Sequence, residues 1–336
     1  MTTSTALDVV GNGQDLERRR EHAKVANGAA KLGTFATYRS KKARNTIRRQ
    51  DGELARFGVY IEGEDLGTDA GAWTGVSWGL VDGFCKSLLM DGYAIGTINC
   101  HLSTIKKYAK LATLAGTLER TEYAMIKLVE GHGHREGQHV DETRLAMGKA
   151  TRRPGAKKAT SRVLTHTEAA AMLARCGDSP QGRRDRLILV LLLELGVRVS
   201  EAADLQGEHF DAESCELTVY RRKTDTTTTF KLRNGLLAAM LAYLEVAGTE
   251  GQLLKGSLRT GTLEGTMSTR AIRERVHVMA AAIGIGDLGC HDLRHTQATW
   301  MARAGASMTD LMEFFGWNSP AMAARYVEGA KVLAAG

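Results

Sequence analysis

Apolar positions recur along this chain with the spacing of helices. Val81, Phe84, Cys85 and Leu88 stand at i, i+3, i+4 and i+7, and Ile98, Leu102, Ile105 and Ala109 form a second such set. Each set therefore occupies one helical face. On the second helix Lys106, Lys107 and Lys110 fall mostly off the apolar stripe, which puts a basic face opposite a buried one. Thr165 and Glu168 complete a T-x-x-E capping box, the signature of a helix start. The longest apolar stretch runs from Leu187 to Val197 with Glu194 inside it. Its length predicts a buried helix and falls well short of the ~20 residues that a bilayer span needs. Residues alternate from Cys215 to Tyr220, a polar turn follows over 221–229, and Phe230-Lys231-Leu232 completes a predicted β-hairpin. From Asn234 onward the pattern is mostly helical with short Gly-rich turns, and no solenoid-type repeat is present.

These patterns predict a mostly α chain with a small antiparallel β-sheet in its C-terminal domain. Its 336 residues suit two domains at the prior of ~150 residues each. Residues 1–34 read as a flexible polar tail, 35–130 as a helical domain, 131–162 as a basic linker, and 163–336 as the second domain.

Charge sharpens the picture. The net charge is +7, which favours an anionic partner, nucleic acid being the commonest. Residues 1–50 hold 11 Lys and Arg against 4 Asp and Glu, densest around Arg39, Lys41, Lys42 and Arg44. The linker adds Arg152, Arg153, Lys157 and Lys158, which suits a segment that tracks a phosphate backbone. The 5 cysteines are scattered with no CxxC, as expected of reduced thiols in a cytoplasmic protein. There is no apolar h-region at the N-terminus and no GxxxxGK[ST] phosphate loop.

Four segments carry candidate chemistry. Arg198, at the end of the apolar run, lies three residues before Glu201, a ready partner for a charge beside a core. Lys223 sits at the predicted hairpin tip, with Arg221, Arg222 and Lys231 nearby. His291, Arg294 and His295 stand at i, i+3 and i+4 and share a helix face. This trio lacks the glutamate of H-E-x-x-H, and its arginine repels a cation, so a phosphate suits it better than a metal does. Gly316-Trp317 is followed by Tyr326, nine residues beyond Trp317 and a possible nucleophile. Taken singly, each segment is equally well read as an ion pair, a solvated turn or aromatic packing. A metal site on His132, His134, His139 and Cys290 has no repeated ligand spacing to support it.

In order and spacing the four segments resemble the tyrosine recombinases, the phage-integrase-type site-specific recombinases. That family shows an Arg in a G-[LV]-R-x-[ST]-E context, a hairpin Lys, H-x-x-R-H, and G-[HW] with a Tyr nine residues later. Here these are Arg198, Lys223, His291 with Arg294 and His295, and Trp317 with Tyr326. Trp317 stands where most members carry His. The resemblance covers roughly 160–330; residues 35–130 are similar only in style to the family's core-binding domain.

The resemblance implies a two-domain DNA clamp that cuts and rejoins strands through a covalent 3′-phosphotyrosine and a Holliday junction, without ATP or cofactor. It implies Arg198 and Arg294 as the phosphate clamp, Lys223 as general acid, and His291 as base toward Tyr326 or as a phosphate donor. Trp317 donates its indole N–H, while Glu201 and His295 give support. The implied partner is double-stranded DNA with inverted-repeat half-sites, bound by a homotetramer in synapsis and by a monomer or dimer otherwise. No membrane is expected, and the implied location is the cytoplasm, on the nucleoid. A type IB-like topoisomerase and a catalytically silent DNA-binding protein of the same fold are the competing readings.

Overall fold

The computed structural model describes residues 5–62, 65–148 and 161–334. The linker cations Arg152, Arg153, Lys157 and Lys158 lie outside the described residues. The chain divides into two compact units, Met1–Lys157 and Lys158–Gly336.

The first unit is helical: α1 Thr5–Lys31, α2 Thr34–Ser40, α3 Arg44–Tyr60, α4 Trp78–Met90, α5 Ile95–Ala115, α6 Arg120–Leu128 and α7 His134–Ala146. Helix α5 is the axle. Its Ile98, Leu102, Ile105, Tyr108 and Ala109 are buried, as are Val81, Phe84, Cys85 and Leu88 of α4, so both apolar stripes face the core. Phe57 of α3 packs into the same core, its ring 5.1 Å from Phe84 and 6.3 Å from Trp73.

Two segments differ from expectation. The expected tail contains α1, a polar helix whose described side chains are exposed. Ala, Glu, Arg and Lys favour helix, and the Asp15–Arg19 and Glu21–Lys24 pairs at 3.7 and 2.8 Å reinforce it. The expected linker contains α7, which packs on α4. Val140 and Met147 join Leu89 and Met90 around a cavity of about 270 Å³. The sparse apolar residues of α7 hid this contact.

The predicted basic face is also more structural than expected. Arg39 forks onto Asp51 at 2.5 and 3.1 Å and reaches the Gly67 carbonyl and the Tyr108 hydroxyl at 3.3 and 3.4 Å. Lys106 donates to the Lys127 and Val129 carbonyls at 2.9 and 2.5 Å, satisfying the end of α6. Lys107 and Lys42 both lie over the Tyr38 ring, at 5.7 and 5.4 Å. Lys41, Lys42, Arg44, Lys107 and Lys110 are exposed.

The second unit holds α8 His166–Ala174, α9 Pro180–Leu193, α10 Val199–Asp204, α11 Asn234–Ala247, α12 Thr269–Ala281, α13 Cys290–Arg303, α14 Met308–Phe315 and α15 Pro320–Ala334. Strands β1 Phe210–Asp211, β2 Glu216–Arg221 and β3 Thr226–Lys231 form an antiparallel sheet in sequence order, and β4 Gly256–Ser257 pairs with β5 Leu263–Glu264. Residues Leu187–Leu193 of α9 are buried at the centre of the core. Among the described residues no helix is long and apolar enough to cross a membrane.

Here too the prediction needed two corrections. The apolar run is not one helix. Helix α9 stops at Leu193, and Gly196 turns the chain at φ 56°. The hairpin turn is shorter than 221–229, because the β-branched threonines 226–229 extend β3 and leave Arg222–Asp225 as the turn.

Arg39 therefore belongs to the fold. Arg39→Met should cost about 1–3 kcal/mol by removing its charge-assisted hydrogen bonds to Asp51, the Gly67 carbonyl and Tyr108, whereas Lys41→Ala and Lys110→Ala should each stay within about 0.5 kcal/mol. Urea unfolding of the three variants checks this, and equal midpoints would contradict it.

Candidate active site

The site is assembled from the ends of short elements in the second unit. Arg198 is the residue from which α10 starts, and its backbone N–H donates to Glu201 Oε2 at 2.7 Å. Glu201 thus satisfies an orphan donor of the first turn. Its other oxygen accepts from Arg198 Nη1 at 2.5 Å. The acidic partner proposed from spacing is therefore the real one, and it is buried at 5% exposure while Arg198 keeps solvent access.

Arg294 projects from α13 into the interior. Its Nη1 donates to the Gly196 carbonyl at 2.5 Å and its Nη2 to the Phe315 carbonyl at 2.8 Å. Its guanidinium also lies 4.8 Å from the Phe315 ring and 5.8 Å from Trp317. Burial first, then Arg198, pushes its pKa down to about 9, still above neutrality. The turn at Gly196 has a purpose: it aims a carbonyl at Arg294. A Cβ there would sit 2.4 Å from Phe315 Cε1, so a side chain has neither the space nor the backbone conformation it needs.

Helix α14 ends on Gly316 at φ 60°, and Trp317 then packs face to face on Phe315, 4.8 Å between centroids. Helix α15 lies against α13 and α14 and delivers Tyr326 from the same chain. The Tyr326 ring stacks on Trp317 at 5.3 Å and 11°. Its hydroxyl is 2.9 Å from His295 Nδ1. The contact was not expected from the motif. The imidazole that touches the tyrosine is His295, assigned only support from its position in the motif, while His291 lies on the exposed rim. Burial raises the Tyr326 pKa, and Arg294 opposes the shift. Desolvation lowers the pKa of His295, with His291 adding to the effect. The protein around His291 lowers its pKa in the same way, with Arg294, Arg198 and Lys223 as cationic contributors. Lys223 itself is exposed in the hairpin turn. Among the described residues no cluster of His, Cys, Asp or Glu suits a metal ion.

Residues 162–331 match the model of the phage integrase family. The chain belongs to this family. As an integrase-family member it is similar to the tyrosine recombinase XerC of Mycobacterium bovis BCG, 32% identical over 191 residues, or 56% of this chain. That alignment spans 63% of the relative, under two thirds of its length. A XerC of Mycobacterium sp. strain KMS is 29% identical over 255 residues, covering 72% of this chain and 82% of the relative. Two solved structures share the fold. One is a lambda integrase dimer bound to a COC′ core site, with TM-score 0.59, 13% identity, and coverage of 86% and 96% of the two chains. The other is the Tn1549 transposon integrase with transposon right-end DNA, with TM-score 0.60, 13% identity, and coverage of 90% and 98%.

Several site residues were not singled out from sequence. Asp292 accepts from the Gly289 and Arg162 backbone N–H groups at 2.8 and 3.0 Å, and Thr296 accepts from that of Leu164 at 3.0 Å, so the chain entering this unit is latched to α13. Arg221 is fully buried beside Glu201. Its signal was present: alternation along β2 puts Arg221 on the same inward face as Leu217 and Val219.

Two outcomes follow from this geometry. Gly196→Ala should destabilise the unit by about 1–3 kcal/mol, read as a lower urea midpoint; a stability equal to wild type would show that the turn is not needed. Both site histidines hold a proton less tightly in the folded chain than in the unfolded one, so acid favours unfolding. Stability should be level above the ordinary histidine value of about 6.5 and fall as pH drops through it. A His291→Gln/His295→Gln double variant should fall less, by denaturant titration between pH 7.5 and pH 5.

Proposed function

We propose that this chain is a site-specific DNA recombinase that cuts and rejoins strands through a covalent 3′-phosphotyrosine on Tyr326. The observation that carries this reading is the position of the Tyr326 hydroxyl: bonded to His295, stacked on Trp317, and in the cluster built around Arg294.

Each group has a task. Arg198 spends one N–H on Glu201, and Arg294 spends two on backbone carbonyls. A guanidinium carries five donors, so both retain some for the non-bridging oxygens, where charge gathers in the transition state. Tyr326 holds its proton at neutral pH, and the neutral His295 Nδ1 is placed to take it as the phenolic oxygen attacks phosphorus. The P–O5′ bond breaks, and Lys223 supplies the proton that leaves a 5′-hydroxyl. Rejoining runs these steps backwards, so the phosphodiester energy stays in the phosphotyrosine and no ATP is used. His291 and the Trp317 indole N–H are donors to the phosphate.

The helical first unit is assigned to DNA binding in the same reading, with Lys41, Lys42, Arg44, Lys107 and Lys110 as its exposed cations for phosphate contacts. Two half-sites in inverted repeat, four protomers in synapsis and exchange through a Holliday junction belong to the same reading. A lambda integrase tetramer bound to a Holliday junction shares the fold at TM-score 0.58 and 14% identity.

The test is covalent capture. The full chain is incubated with a library of nicked duplexes, and detergent-resistant adducts are isolated and sequenced. Wild type should yield adducts that share one sequence, with or without a chelator. Tyr326→Phe should yield none, and Lys223→Ala should cleave at least ~100-fold more slowly. Adducts that share no sequence, together with relaxation of any supercoiled plasmid, would favour a topoisomerase instead. Binding without any adduct would mark a silent DNA-binding protein.

A further inference from the structure

We infer that Arg221 is a positioning residue that sets the hairpin lysine in register with the rest of the site. The inference rests on the recombinase reading and deepens it, because it names what holds the proposed general acid over the phosphate.

Arg221 is the last residue of β2 and is 0% exposed. Each end of its guanidinium is spoken for. Nη1 lies 3.3 Å from Glu201 Oε2, Nη2 donates to the Phe314 carbonyl at 2.7 Å, and Nε donates to Thr228 Oγ1 of β3 at 3.2 Å. One planar group therefore ties the hairpin to the first turn of α10 and to the last turn of α14. Glu201 is shared: the carboxylate that holds Arg198 also holds Arg221.

The main chain of Arg221 does a second job. Its carbonyl accepts from the backbone N–H of Thr224 at 3.0 Å and of Asp225 at 2.9 Å. The turn carrying Lys223 is thus closed on Arg221 itself. A residue anchored by its side chain in the site and by its carbonyl to the turn transmits position from one to the other.

Gly316 supplies independent support. A Cβ built there would sit 2.4 Å from Arg221 Cδ, and the residue also stands at φ 60°. The turn that presents Trp317 is closed directly against the Arg221 stem. A methionine at 221 fills the stem but makes none of the three polar contacts, and the turn loses its reference to the site.

A bridging 5′-phosphorothiolate separates positioning from mere support. A thiolate leaves without a proton, so a defect in the general acid is relieved by sulphur and a defect elsewhere is not. The substrate is the nicked duplex recovered by covalent capture, made with oxygen or with sulphur at the scissile 5′ position. Arg221→Met should slow cleavage of the oxygen substrate at least tenfold and recover to within about threefold of wild type on sulphur. Equal losses on both substrates, or no loss on either, would overturn the inference. Thr228→Val removes only the acceptor of Nε and preserves the strand; it should show the same sulphur recovery with a smaller loss, and it decides the matter if Arg221→Met does not fold. Lys223→Ala is the control. If sulphur does not rescue it, the assignment of Lys223 fails; if sulphur rescues it but not the Arg221 variant, only the present inference fails.

Discussion

Buried positive charge is the constraint around which the second unit is organised. Arg198 and Arg221 share one buried carboxylate, Glu201, and Arg294 is held close by on backbone carbonyls. Taking a charged group out of water costs several kcal/mol per ion, even after relaxation. The fold offsets that cost with backbone oxygens rather than with more acids: Gly196 and Phe315 for Arg294, Phe314 for Arg221. Carbonyls bring no net charge, so the site keeps an excess of cation. An anion entering the site would complete the balance that the protein leaves open, which is the physical reason the proposed function places a phosphate there.

The same oxygens explain why the site is built from element ends. A carbonyl inside a helix is already hydrogen-bonded to its own ladder, but those of the last turn are not. Helix α14 ends at Phe315 and offers the Phe314 and Phe315 carbonyls, one to each buried arginine. Helix α9 ends before Gly196, whose backbone leaves the helical path and offers a third. Gly196 and Gly316 follow from this arrangement, since each meets a neighbouring side chain at 2.4 Å where a Cβ would stand. The aromatic stack of Phe315, Trp317 and Tyr326 then lies beside Arg294, so the packing that holds the tyrosine also walls the charge.

In the first unit, charge serves the fold first. Lys106 lies on the expected basic face and Arg39 in the expected basic segment, yet each is satisfied by protein oxygens. A long cation covers apolar surface with its stem and finds an acceptor with its head wherever a helix end is close. Sequence spacing places such a side chain on a helix face but says nothing of what stands opposite, so those two residues looked the same as Lys41 and Lys110.

The chain's own order of residues determined the fold class and the apolar stripes of α4 and α5, and its motif spacing singled out Arg198, Lys223, His291, Arg294, Trp317 and Tyr326 as the candidates for the proposed chemistry. These depend on local periodicity and on motif spacing, both of which survive in one dimension. The tertiary structure decided the partners. It placed His295 rather than His291 on the tyrosine, put Arg221 under the hairpin, broke the apolar run at Gly196 and turned part of the expected linker into α7. Each of these rests on contact between segments far apart in the chain, such as Arg221 with Phe314 or Arg294 with Gly196. A residue's neighbours along the chain limit its backbone, but the partner that a buried charge finds is set by which element ends the packing brings beside it.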